Sequence, residues 1–176
     1  MSSQLNVQND AELVLGFIVI AHYGNEGYAG GCLCTNEKGV PLEFRYTAPV
    51  QPTRLQELLY GPTLKPELFG QLIASELLKG AEHSPRAVVT DEEAILLGLQ
   101  SRLAVFQIVR TPEGDQPHDQ ERSRQVQTPQ GPIVLRWRQQ GIEEFVERLC
   151  GIDLLEPLDR VKKLLSEIRE MPSGTE

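Results

Sequence analysis

Read for hydrophobic periodicity, the chain opens with a polar stretch, residues 1–10, and then a continuous apolar run from Leu13 to Ala21 (LVLGFIVIA). β-branched and aromatic residues without alternation predict a strand covered on both faces, and therefore an interior position in a sheet. Glycine-rich HYGNEGYAG follows, then a second apolar segment at about Tyr28 to Thr35. The tetrapeptide Asn36-Glu37-Lys38-Gly39 predicts a hairpin onto a third strand, Pro41 to Thr47, where Leu42, Phe44 and Tyr46 alternate with Glu43, Arg45 and Thr47.

Beyond Pro49 and Pro52 the period changes to that of a helix. Leu55, Leu58 and Leu59 predict a short helix over 53–60, stopped by Gly61-Pro62. Leu68, Leu72, Ile73, Leu77 and Leu78 form the stripe of a longer one from Pro66 to Gly80. AVVT at 87–90, an acidic helix start with Asp91 as its cap, a helix to about Gln100 and a strand from Leu103 to Arg110 make a strand–helix–strand unit. Residues 111–130 carry hardly an apolar side chain and read as a mobile loop or hairpin tip, His118 included. A strand from Pro132 to Arg138 and helices at Ile142 to Cys150 and Leu155 to Arg169 complete the pattern.

These elements define one α/β domain over 11–170, with an antiparallel meander extended by a βαβ unit and helices packed on the sheet. Its core spans 11–110, the loop 111–130, and a strand with two helices 131–170; 1–10 and 171–176 are tails. The length of 176 residues suits a single core, and 40% hydrophobic against 24% charged residues is a globular balance.

The strand, strand, strand, helix, strand, helix, strand order over roughly 13–110 resembles the ribonuclease H-like fold. That resemblance implies metal-binding carboxylates on the first strand, the first long helix and the end of the fourth strand, serving phosphodiester hydrolysis with magnesium or manganese. Asp91 matches the fourth-strand position, and Glu67 or Glu76 lies on the matching helix. The first strand, GFIVIAHYG, offers His22 where an aspartate would stand. A restriction-endonuclease core is a second comparison, for which Glu43-Phe44-Arg45 is the nearest match on the third strand.

Charge and chemistry then decide the first-ranked reading. A formal net charge of −8 argues against nucleic acid as a partner unless basic residues gather locally, as Arg122, Arg124, Arg136 and Arg138 could. Three cysteines fit no paired framework or zinc spacing, although Cys32 and Cys34 share a strand face, and with no export signal or membrane span the expectation is a bacterial cytoplasmic protein. Arg45, Arg54 and Tyr60 mark a strand-to-helix corner suited to a ligand or partner. Leu154, Leu158, Val161, Leu165 and Ile168 repeat at spacings of four and three, a stripe that docks on the chain's own sheet or on a partner or second copy. With no complete catalytic constellation, the expectation is a binding or regulatory protein acting through protein contacts, without cofactor or catalysis. The metal-dependent phosphodiesterase is the alternative.

Overall fold

The computed structural model describes residues 12–110 and 122–171; the expected 1–10 tail, His118 and the 172–176 terminus lie outside them. Seven strands form one mixed sheet: β1 (Leu15–His22), β2 (Tyr28–Thr35), β3 (Pro41–Tyr46), β4 (Ala87–Thr90), β5 (Ala104–Val109), β6 (Arg122–Thr128) and β7 (Gly131–Trp137), in the order β3-β2-β1-β4-β5-β7-β6. β1 is interior, antiparallel to β2 through eight register pairs and parallel to β4. Its composition explains the place, since Phe17 and Val19 face one layer of the core and Ile18 the other.

Helices cover both faces. α4 (Glu143–Leu149) and α5 (Leu155–Glu170) lie on the side of Phe17, Leu33, Val89, Phe106 and Leu135. A π-helical segment, Pro66–Ala74, which runs on into α2 (Ser75–Lys79), and α3 (Glu93–Gly98) cover Ile18, Cys32, Val88 and Val105. Within that second helical layer the π-helical segment and α3 meet at backbone distance: a Cβ on Gly70 or Gly98 would overlap the main chain of Gly98 or Pro66 respectively.

Three local features depart from the sequence reading. Residues 122–128, read on composition as part of a mobile loop or hairpin tip, form the edge strand β6, pairing along its whole length with β7. Its polarity reflects position, because Arg122 and Arg124 reach Glu143 and Glu147 on α4 while only Val126 and Thr128 are buried. The cap of α3 is Glu92, whose carboxylate accepts the Ala94 amide at 3.3 Å; the Glu92 amide in turn donates to Thr90 Oγ1 at 3.1 Å, which displaces Asp91 from the capping position. Finally, α1 (Arg54–Tyr60) forms as expected, with a Thr53–Gln56 capping box, yet it buries nothing. Leu55, Leu58 and Leu59 are 75%, 65% and 77% exposed.

The stripe on α5 resolves inward. Leu154, Leu158, Val161 and Leu165 are buried against the chain's own sheet and Ile168 is half-buried, so these residues are not free for a partner helix. Tyr23 locks the arrangement by donating its hydroxyl to the Leu165 carbonyl at 2.8 Å.

Candidate functional site

The site implied by the strand order lies where β4 ends beside β1. Asp91 is there, but its carboxylate is paired with the Lys162 ammonium of α5 at 2.5 Å, and beyond the next strand Arg110 is paired in the same way with Asp159 at 2.5 Å. Both pairs tie the ends of the parallel strands to α5. On β1 the positions beside this end on the same face are Val19 and Ala21, apolar and packed.

Glu67 and Glu76 do not join Asp91. Both are exposed, on the helices that cover the opposite face of the sheet from α5. Glu67 instead lines a depression of about 300 Å³ with Tyr60, Val50, Pro52, Leu68 and Leu72. Two-metal hydrolysis needs carboxylates converging on ions roughly 4 Å apart. Among the described residues no group of three His, Cys, Asp or Glu could hold an ion, so these residues do not fit a metal pair.

The other sequence candidates have structural occupations. Glu43 accepts the backbone amides of His83 at 2.9 Å and Glu82 at 3.2 Å, which holds its carboxyl below the usual carboxylate range despite some opposing desolvation. Arg45 donates to the Gly80 carbonyl and lies 3.9 Å from Glu43, so the Glu43-Phe44-Arg45 run secures the loop after α2. Arg54 pairs with Glu57 within α1 at 3.2 Å. Of the three corner residues Tyr60 lines the same depression as Glu67. Cys32 and Cys34 are buried in the core between sheet and helices, while His22 lies against the Tyr28 ring. The four arginines of the supposed basic patch divide: Arg122 and Arg124 turn to α4, Arg136 sits in a buried polar row with Gln107 and Thr90 on the other face, and Arg138 is exposed just past the end of β7.

Lys162 is the residue that sequence reasoning missed at this site, since nothing in the α5 stripe marks one lysine among its polar positions. A second cluster missed in the same way, Arg86, Arg102 and Arg148 around Phe145, lines a depression of about 470 Å³ at the other end of β4 and β5.

With this geometry in hand, comparison with solved structures places the fold. Human ENDOV superposes with a TM-score of 0.50 at 12% identity, covering 92% of this chain and 86% of that one. The fold is ribonuclease H-like. Marinitoga piezophila Argonaute in complex with guide RNA and target DNA gives a TM-score of 0.45 at 11% identity, covering 89% of this chain and 30% of that one. No protein-family model matches the chain, and no curated protein matches it in sequence.

Two expectations are corrected here. The non-catalytic regulator working through protein contacts was inferred from the missing catalytic constellation and the C-terminal stripe; that stripe packs on the chain's own sheet, and the ribonuclease H-like fold favours the alternative reading instead. The expectation that nucleic acid is an unlikely partner is corrected too: it rested on net charge, and charge summed over a whole chain does not describe a local surface, while the fold is the one the alternative reading implied. No helix among the described residues is long and apolar enough to cross a membrane.

Proposed function

We propose that this protein is a nucleic-acid-directed member of the ribonuclease H-like fold. The observation that carries the reading is the match to human ENDOV, which extends over nine-tenths of the chain and includes the elements after residue 111. A core shared only over 13–110 would have been a weaker guide, because function resides in sites and not in folds.

The reading stops short of a hydrolytic step. Asp91 is neutralised by Lys162, and the neighbouring strand supplies valine and alanine where a second carboxylate would be needed. A reducing, cytoplasmic setting belongs to the same reading, supported by three cysteines that are free thiols.

Fluorescence anisotropy with labelled single- and double-stranded DNA and RNA, at several salt concentrations, tests it. Binding that weakens linearly in log affinity with log salt is expected. Absence of binding to all four at low salt overturns the proposal. The same samples incubated with manganese settle the role of Asp91: cleavage that Asp91→Asn abolishes would overturn its assignment to a structural ion pair.

A further inference from the structure

We infer that the depression at the amino-terminal end of the parallel strands is a seat for one nucleotide unit, its phosphate held by Arg86 and Arg102 and its base set against Phe145. Arg86 immediately precedes β4 and Arg102 lies just before β5. These strands are adjacent and parallel, with Ala87 in register with Ala104. Neighbouring strands run about 4.8 Å apart, so two long side chains leaving the same end of both reach a common point.

The charge of the two arginines is unspent. Both are exposed, and neither guanidinium has an ion pair or hydrogen bond among the described residues. Arg148, the third arginine in the wall, differs in being matched by Glu37, to which its Nε donates at 2.5 Å. Glu144 is the one acid in the lining, so with Arg148 matched by Glu37 two uncommitted guanidiniums face one carboxylate on a chain whose formal charge is −8. A concave, locally cationic spot on an acidic protein selects an anion, and paired guanidinium forks match phosphate geometry.

The aromatic wall narrows the ligand class. Phe145 is half-buried, with its ring stacked on Phe106 at 6.0 Å between centroids and 11° between planes, which fixes its orientation before any ligand arrives. A fixed ring beside a phosphate site accepts a base of any identity, since every base has a π-face. A free mononucleotide and a unit within a strand share this chemistry. The site is distinct from the Asp91 end, because Arg86 precedes β4 and Asp91 follows it. Only the strand form of the ligand rests on the nucleic-acid reading above.

The test uses the full chain. Anisotropy with a labelled single-stranded oligonucleotide of about twelve nucleotides, a size in the range such grooves accept, is compared with an abasic strand of equal length, and adenosine monophosphate is titrated separately by calorimetry. The double variant Arg86→Ala/Arg102→Ala is expected to weaken both the oligonucleotide and the mononucleotide at least tenfold, and to lower the salt slope for the strand by about 0.7 per lost phosphate contact. Arg86→Lys/Arg102→Lys should restore most of that slope, and Phe145→Leu should reduce the preference for the base-bearing strand over the abasic one. Both arginines are exposed, so the alanine variant's melting curve should match the wild type. Mononucleotide binding that depends on the arginines, without any strand binding, supports this seat and sinks the nucleic-acid reading. Strand binding that ignores both arginines does the reverse, and binding of neither ligand overturns both.

Discussion

Leu158→Ala is the substitution that most directly probes where the α5 stripe points. Leu158 is fully buried, on the layer where α5 meets the sheet. Burying a leucine is worth about 1.5–3 kcal/mol in transfer alone, and the cavity left behind raises the cost of truncation to roughly 2–5 kcal/mol. Taking about 3 kcal/mol, a chain of this size should lose roughly 6–12 °C in Tm. Leu58→Ala on α1 is the internal control: that side chain is 65% exposed, both residues favour helix, and the cost should stay below about 0.5 kcal/mol. Circular dichroism melts at two protein concentrations tenfold apart read both quantities. The expected pattern is a large, concentration-independent loss for Leu158→Ala and almost none for Leu58→Ala. A Leu158→Ala midpoint within about 2 °C of wild type, or a wild-type midpoint that climbs with concentration until this substitution removes the effect, would refute an inward-facing stripe.

Other outcomes follow from single features. Gly98→Ala should destabilise by about 1–3 kcal/mol in urea unfolding, because its Cβ would press on the Pro66 main chain; an unchanged midpoint would mean that the Gly70–Gly98 approach is loose. Lys162→Met should cost no more than about 1 kcal/mol, as the Asp91 pair is partly solvated; a loss of several kcal/mol would mark a role beyond that pair. Glu43 has its folded pKa depressed by the His83 and Glu82 amides, so its contribution is present above the ordinary carboxylate value near 4.3 and fades as pH falls through the lower folded value. Glu43→Gln should therefore be less stable than wild type at pH 7 and converge with it on acidification, whereas a gap constant with pH would show that the amide bonds do not depend on ionisation. Under native conditions Cys150, half-buried, should react with a thiol reagent before Cys32 and Cys34, each 1% exposed, which should label only on unfolding.

Much of the architecture was written into periodicity. The unbroken run ending at Ala21 sits inside the sheet, the Asn36–Gly39 turn joins β2 to β3, and the strand–helix–strand unit at 87–109 appears as read. These succeeded because burial on two faces, turn chemistry and helical stripes are local properties of sequence. β6 was legible only as a loop or hairpin tip because an edge strand held by arginines to α4 needs few apolar residues. The capping of α3 by Glu92 instead of Asp91 turned on one hydrogen bond to Thr90, which adjacent acids in sequence do not disclose. The candidate sites were the least legible. Asp91 could be picked out, but its lysine partner belongs to a helix far along the chain, and Arg86 and Arg102 become neighbours only through the parallel register of β4 and β5.

The seating of α5 on the first two strands has a consequence for synthesis. Val161 and Leu165 lie so close over β2 that a Cβ on Gly31 would touch both, and Leu158 completes the same layer above Phe17 and Leu33. One greasy side of the sheet therefore stays bare on a growing chain until residues 155–170 have left the ribosome. Nascent or prematurely stopped forms should be clients for chaperones and prone to clump, whereas the opposite side, roofed by residues 66–98, can close while translation continues.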